Sequence, residues 1–131
     1  MIQLQAKYPD KRVGVVDDNA TNLMLLEQVL LRAGYAKVVK FSHPVDVLEY
    51  LHKHPLDILL CDHHMPCMSG IELFRKMKTE LRSPPVTFLV TAVDSSQLAA
   101  QSNAEGMAGF ISKPFDIHKI VELLDKSSAV D

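Results

Sequence analysis

Five short apolar runs, rich in β-branched residues, alternate along this chain with segments of helical periodicity. Strands separated by single helices connect right-handedly and form one parallel sheet. The pattern therefore predicts an α/β fold, a doubly wound five-stranded parallel sheet of (βα)5 order. The first, third and fourth runs are almost continuously apolar, which is typical of central strands covered on both faces. The predicted strands cover residues 13–16, 38–41, 58–61, 86–90 and 109–111.

The intervening segments carry capping residues that predict where helices begin and end. We expect helices over residues 20–33, 45–53 and 94–103, a third helix that starts after Ser69, and a last helix with an apolar stripe over 117–124. The predicted caps are Asn19 with Gly34 at the other end, Ser42 with Pro44, Ser69 with Glu72, Asp94 with Gln97, and Asp116.

Composition indicates one independently folding domain. The chain has 131 residues, of which 47% are hydrophobic and 23% charged, and a formal net charge of −2. We expect an irregular segment over residues 1–10, the domain over 11–126, and a polar tail or linker over 127–131. The weak negative charge argues against direct nucleic-acid binding. Without an apolar run of about 18 residues or a signal core, we expect a cytoplasmic protein with no membrane insertion.

Polar residues follow four of the five predicted strands. In a doubly wound sheet, ligands bind at the carboxyl ends of the strands, so these side chains are expected to converge. Three clustered carboxylates repel one another, and a hard divalent cation such as Mg²⁺ relieves that repulsion. A lysine and a hydroxyl beside the metal suit phosphoryl transfer to a carboxylate. The residues are Asp17, Asp18, Asp62, Thr91, Lys113 and Pro114.

Four stretches of this sequence resemble the response-regulator receiver family of two-component systems, over residues 11–126. They are VVDDN at 15–19, DHHMPCMSG at 62–70, VTA at 90–92 and FISKPF at 110–115. The resemblance implies the flavodoxin-like receiver fold, that of the single-domain chemotaxis regulator. It also implies phosphorelay signalling with Mg²⁺, or Mn²⁺ as a substitute, and a phosphoryl group received from a sensor histidine kinase or a histidine phosphotransfer protein.

The resemblance also implies roles for the acidic residues. Asp62 corresponds to the phosphoacceptor and Asp18 to a direct metal ligand. Asp17 corresponds to an acid that holds the metal largely through water. The backbone carbonyl of His64 corresponds to the remaining protein ligand of the metal.

A second group of positions corresponds to the phosphoryl-binding and switch residues of the family. Thr91, followed by Ala92, would hydrogen-bond the phosphoryl group, and Lys113 would pair with it, next to the Lys113–Pro114 bond that family members usually hold cis. Phe110 matches an aromatic that turns inward when Thr91 moves. The surface of the fourth helix, fifth strand and fifth helix would then bind a downstream effector or a second copy. The chain is thus expected to be a signalling module that assists only its own phosphorylation and dephosphorylation.

Three other functions fit this sequence less well. A phosphatase of the haloacid-dehalogenase type would carry a second acid where this chain has His64. A nucleotide- or flavin-binding domain would have a glycine-rich first turn instead of residues 17–21. An interaction module without phosphorylation would not need every site position filled. His63 and His64 are expected to be solvent-exposed polar residues, and Cys61 a buried apolar one with Cys67 exposed.

Overall fold

The computed structural model describes residues 7–92, 96–113 and 116–129, and it forms one five-stranded parallel sheet with strand order β2-β1-β3-β4-β5. The α/β fold of (βα)5 order is confirmed, and β1, β3 and β4 are the three inner strands, as predicted. The elements are β1 (Tyr8–Val16), α1 (Ala20–Arg32), β2 (Tyr35–Phe41), α2 (Pro44–Leu51), β3 (Ile58–Asp62), α3 (Gly70–Glu80), β4 (Val86–Thr91), α4 (Ser96–Glu105), β5 (Gly109–Ser112) and α5 (Ile117–Ala129).

The core consists of two apolar layers, one on each face of the sheet. Side chains of successive strand residues point to opposite faces, so β3 contributes Leu60 to one layer and Leu59 and Cys61 to the other. The first layer packs against α1 and α5, and the second against α2 and α3. Because both faces are covered, all five residues of β3 are buried, and the strand must be apolar until it reaches Asp62.

The first strand is longer than predicted. β1 begins at Tyr8, so residues 8–10, expected to be irregular, belong to the sheet. Tyr8 pairs with Tyr35 on β2, with a register irregularity before Arg12, and the two rings stack at a centroid distance of 4.8 Å. At the other end of the chain, α5 continues to Ala129, so the polar tail expected from residue 127 is helical to that residue.

Three predicted helix caps are confirmed by hydrogen bonds. The Asn19 side chain accepts from the backbone N of Asn22 at 3.1 Å, and Ser69 with Glu72 forms a complete capping box. Asp116 accepts from the backbone N of His118 at 3.0 Å.

The predicted start of α2 is wrong. His43, not Ser42, occupies the N-cap position and makes no side-chain capping bond. Pro44 fixes the first helical residue because its φ is already helical and its missing N–H is not needed there. The helix ends at Leu51, two residues before the predicted end. Asp94, the predicted cap of α4, lies outside the described residues.

Candidate functional site

The carboxyl ends of β1, β3 and β5 bring three charged side chains together. Val16 pairs with Cys61, so the residues that follow, Asp17 and Asp62, lie side by side at one edge of the sheet. The Nζ atom of Lys113 lies 3.2 Å from Asp17 Oδ2 and 3.2 Å from Asp62 Oδ1. The side chains of Asp17 and Asp62 are 1% and 8% exposed, and that of Lys113 is 16% exposed. Solvent therefore screens these two ion pairs little.

A third acid completes the cluster. Carboxylate oxygens of Asp17, Asp18 and Asp62 all lie within 4.8 Å of one another, with Asp18 exposed and the other two buried. The donor set consists entirely of oxygen atoms, which hard divalent cations prefer. Three protein carboxylates leave coordination positions for water and for a phosphoryl oxygen, as a Mg²⁺ site requires. The residues present therefore fit a divalent metal.

The charge balance at Asp62 is unfavourable for its ionised form. Burial raises the pKa of its carboxyl, the negative charge of Asp17 raises it further, and the charge and hydrogen bond of Lys113 oppose both effects. Asp18 adds a smaller repulsion. A bound cation would offset this repulsion and favour the ionised form of Asp62.

Local backbone contacts orient Asp17. Its Oδ1 accepts from the backbone N of Asn19 at 2.9 Å, which leaves Oδ2 facing Lys113. Asn19 is predicted from the sequence only as a helix cap, and its backbone contact with Asp17 is a second contribution. An aspartate followed two residues later by a free backbone N–H is the pattern of an Asx-turn, and it could have indicated the contact.

The loop after Asp62 returns tightly towards β3. His63 donates its backbone N–H to Val90 O at 3.0 Å and accepts from the backbone N of Gly70 at 3.1 Å. A β-carbon on Gly70 would lie 2.7 Å from the Asp62 carbonyl oxygen and 2.6 Å from Leu89 Cδ1. Because α3 begins this close to the backbone of β3, a β-carbon at position 70 would force its neighbours to shift.

The two histidines of this loop differ in exposure. His64 is exposed, as expected, but His63 is half-buried, so the expectation of solvent exposure is wrong for it. Burial, together with the neighbouring His64, lowers the pKa of the His63 imidazole. Its Nδ1 is buried without a hydrogen-bond partner among the described residues. The backbone hydrogen bond from Gly70 to the His63 carbonyl holds the loop back towards β3, a contact that the sequence alone does not indicate.

The expectations for the two cysteines are confirmed. Cys61 is buried, and its burial raises the pKa of the thiol to about 12, so the group stays neutral. Cys67 is exposed, with a φ of 75° in the left-handed region.

The predicted switch positions lie along β4 and β5. Thr91 is fully buried at the end of β4, and its carbonyl accepts from the backbone N of Lys113 at 2.8 Å. Ala92, the next residue, is exposed. Phe110 is half-buried and packs against the apolar layer on the α2 and α3 face of the sheet. Pro114 lies outside the described residues. The structure thus places Asp18 beside Asp17 and Asp62, which both contact Lys113, and links Thr91 to Lys113 through the backbone.

Comparison with known proteins identifies the family of this fold and site. The family model of the response regulator receiver domain matches residues 13–125, and the chain belongs to that family. It is 33% identical over 115 residues to the DNA-binding transcriptional regulator NtrC of Escherichia coli (strain K12), which covers 88% of this chain and 24% of NtrC. It is 32% identical over 111 residues to the two-component response regulator ARR2 of Arabidopsis thaliana, which covers 83% of this chain and 16% of ARR2.

Solved structures show the same fold. A putative response regulator from Chloroflexus aurantiacus superposes with a TM-score of 0.82 at 25% identity, covering 92% of this chain and 98% of that one. The chemotaxis protein CheY4 of Vibrio cholerae superposes with a TM-score of 0.77 at 24% identity, covering 89% and 98%.

These findings make the chain a receiver domain of the two-component type, which is a phosphorelay signalling module. It spans about a quarter of NtrC and less of ARR2. None of the helices in the described part of the chain combines the length and apolar character that crossing a membrane requires.

Proposed function

We propose that Asp62 accepts a phosphoryl group from a phosphohistidine of a sensor histidine kinase or a histidine phosphotransfer protein. Asp17, Asp18, Asp62 and the backbone carbonyl of His64 would hold Mg²⁺, or Mn²⁺ in its place. The observation that carries this proposal is the contact of Asp62 with Lys113 at 3.2 Å inside a cluster of three carboxylates. A buried carboxylate beside one lysine and two further acids lowers the stability of the fold unless a bound cation balances the negative charge.

The chain's residues have distinct parts in the transfer. An oxygen of Asp62 forms the new bond to phosphorus while the bond from phosphorus to the donor's imidazole nitrogen breaks. Lys113 neutralises charge on the transferring group, and the Thr91 hydroxyl donates a hydrogen bond to it. The bound cation would contribute charge neutralisation and hold the phosphoryl oxygens. Asp17, oriented by the backbone of Asn19, keeps Lys113 directed at the acceptor.

We infer that catalysis is limited to the domain's own phosphorylation and dephosphorylation in the cytoplasm. Phosphorylation adds charge at Asp62 and draws Thr91 towards it, and Phe110 then turns inward. The backbone bond from Lys113 to Thr91 supports such coupling of the site to β5. The surface of α4, β5 and α5 would change and bind an effector protein, an effector domain or a second copy. Neither nucleic acid nor membrane is proposed as a direct partner of this part of the chain.

The test of the acceptor is intact mass after incubation with Mg²⁺ and a small phosphodonor such as acetyl phosphate. The wild-type chain should gain one phosphoryl group, and neither Asp62→Asn nor a sample with chelator should gain it. Asp10→Asn, which removes one negative charge at an exposed position of β1, is the matched control and should be modified like wild type. Equal modification of Asp62→Asn would disprove the assignment.

The output surface is tested by hydrogen exchange with and without beryllofluoride, a mimic of the phosphoryl group. Amide protection should change between residues 92 and 124 and change little in α1 and α2. α4 buries only Ser102 fully, so little apolar burial opposes its movement. A change confined to α1 and α2 would contradict the proposed output surface.

A further inference from the structure

The side chains of α4, from Ser96 to Glu105, are buried unevenly along the helix. Of its ten residues only Ser102 is buried, while Leu98 and Ala99 are half-buried and the first two residues, Ser96 and Gln97, are exposed. In residues 96–100, Leu98 packs against the apolar layer shared with α3, and the other apolar side chains are alanines, so little apolar surface fixes this half of the helix.

α4 terminates in a Schellman motif. Gly106 has a φ of +98°, its backbone N donates to Asn103 O at 3.0 Å, and the N of Met107 donates to Ser102 O at 3.1 Å. Met107 is 4% exposed and packs in the apolar layer shared with α3. The glycine is needed because the left-handed conformation is strained for a residue with a β-carbon.

A charged cluster fastens the same end to α3. Both Nε and Nη2 of Arg75 donate to Glu105 Oε2, at 2.9 and 2.6 Å. The Nζ atom of Lys78 donates to the Glu105 backbone carbonyl at 2.6 Å and lies 3.3 Å from its Oε1. Lys78 thus satisfies a carbonyl that the helix end leaves without an intrahelical partner. We call these three residues, Arg75, Lys78 and Glu105, the α3–α4 clasp.

α3 is a firm base for the clasp. Ile71, Leu73, Phe74 and Met77 are buried on its inner face, and Gly70 contacts the Asp62 carbonyl at its first turn. The Nζ atom of Lys78 also lies 4.9 Å from the centre of the Phe74 ring, which limits the positions open to that side chain. The hydrogen bond from Arg75 lowers the pKa of Glu105, which keeps the carboxylate ionised.

We propose that the clasp is the hinge of the domain's switch: phosphorylation moves the N-terminal half of α4, while Glu105 stays fixed on Arg75 and Lys78. The strength of the clasp then sets how easily α4 moves. This inference rests on the proposed function, because it specifies how the response to Asp62 is regulated. A helix held at one end and loosely packed at the other reaches a second position by rotating about the fixed end.

Two substitutions at neighbouring positions test the clasp in the resting protein. Arg75→Gln and Lys76→Gln each remove one positive charge from the exposed side of α3, but only Arg75 contacts Glu105. Hydrogen exchange at the amides of Gly106 and Met107 should quicken about two- to fivefold in Arg75→Gln, the range of exposed ion pairs, and stay unchanged in Lys76→Gln. Salt at 0.5 M should quicken exchange in the wild type and have less effect on Arg75→Gln. Equal exchange in the two variants would overturn the clasp.

The hinge is tested with beryllofluoride and Mg²⁺ on the full chain. In the wild type, protection should change in residues 96–101, while the amides of Gly106 and Met107 keep theirs. In Glu105→Gln the change should extend to both of these amides. Equal loss of protection at both ends of wild-type α4 would refute the hinge and leave the proposed function standing. No change anywhere, including the loop after Asp62, would refute the proposed function and the hinge with it.

Discussion

The acid cluster is expected to cost stability when no metal is bound, and Asp62→Asn should recover part of that cost. The asparagine has nearly the size of aspartate and no charge, so it relieves the repulsion from Asp17 without leaving a cavity. It leaves Lys113 paired with Asp17 at 3.2 Å, so no buried charge loses its only partner.

The magnitude follows from three opposing contributions. At an effective dielectric constant of about 20, two charges 4.8 Å apart repel by about 3.5 kcal/mol, and carboxylate oxygens of Asp62 and Asp17 lie within that distance. Attraction to Lys113 at 3.2 Å returns about 5 kcal/mol. Burial of the carboxylate costs several kcal/mol more. The raised pKa of Asp62 shows that the unfavourable contributions prevail. We expect Asp62→Asn to raise the free energy of unfolding by about 1–2 kcal/mol, at the lower end of the range seen when buried ionic groups are replaced by uncharged ones.

The gain in the free energy of unfolding of Asp62→Asn over wild type should depend on pH and on bound metal. A carboxyl whose pKa is raised by folding binds more protons in the folded state, so stability falls as pH rises from about 3.9 through the raised pKa. The advantage of Asp62→Asn should therefore be full above that range and absent below it. Mg²⁺ should stabilise wild type through binding to the folded state and so shrink the difference.

Urea denaturation in the presence of a chelator at neutral pH measures the effect. The midpoint for Asp62→Asn should lie about 1 M above that of wild type, given ordinary urea slopes. Asp10→Asn removes a negative charge from the exposed part of β1 and should leave the midpoint unchanged. A variant no more stable than wild type, or a gain matched by Asp10→Asn, would refute the electrostatic reasoning.

Three further predictions concern the same edge of the sheet. Gly70→Ala should lower the free energy of unfolding by about 1–3 kcal/mol in thermal or urea denaturation, because the new β-carbon would meet the Asp62 backbone at 2.7 Å. Cys67→Gly should raise it by about 1 kcal/mol, since φ is 75° there, and an unchanged melting temperature would contradict this. Asp18→Ala should weaken Mg²⁺ binding at least tenfold by calorimetry, and equal affinity would remove its role as a ligand.

The sequence predicted the sheet and the acid cluster because both follow from local patterns. A run such as residues 58–61 can be buried on both faces only in a central parallel strand, and the next residue then lies at the carboxyl edge. Residues at the ends of different strands meet there whatever the details of the helices. Asp17, Asp62 and Lys113 could therefore be grouped before any contact among them was known.

Features that depend on contacts between distant segments could not be predicted in this way. The α3–α4 clasp joins Arg75 to Glu105, and each residue alone reads as an exposed charge on a helix. The burial of His63 depends on the return of its loop, which in turn depends on how closely Gly70 approaches β3. The local sequence does not show this approach, so His63 was predicted to be exposed. In each case the deciding partner lies outside the segment that carries the pattern, which is why periodicity and capping rules do not indicate it.

The N-terminal end of β1 is the clearest case of such a long-range determinant. Lys7 and Tyr8 look like part of an irregular polar start, yet the Tyr8 hydroxyl donates to Asp125 Oδ1 on α5 at 2.9 Å. The Nζ atom of Lys7 lies 3.2 Å from the other oxygen of the same carboxylate. On the neighbouring strand, the Tyr35 hydroxyl donates to the Leu124 carbonyl at 3.2 Å. The beginning of the sheet and the end of the last helix are thus fastened to each other.

Tyr8→Phe removes only the hydroxyl, because phenylalanine keeps the ring stacked on Tyr35. Hydrogen bonds to charged groups contribute about 1.5–3 kcal/mol, and partial exposure of Asp125 reduces this, so we expect a loss of about 1 kcal/mol in the free energy of unfolding. Tyr50→Phe, at a tyrosine that packs edge-on to Phe41, is the matched control and should change it less.

The pH dependence gives a second measurement of the same bond. Burial, and then the hydrogen bond to Asp125, raise the pKa of Tyr8, so the folded protein holds this proton more tightly than the unfolded chain. Wild type should therefore lose stability as pH rises from about 10 through the raised pKa, and Tyr8→Phe should lack that part of the decline. If both proteins lost stability in parallel above pH 10, or if Tyr8→Phe were as stable as Tyr50→Phe at pH 7, the hydroxyl would not be what joins β1 to α5.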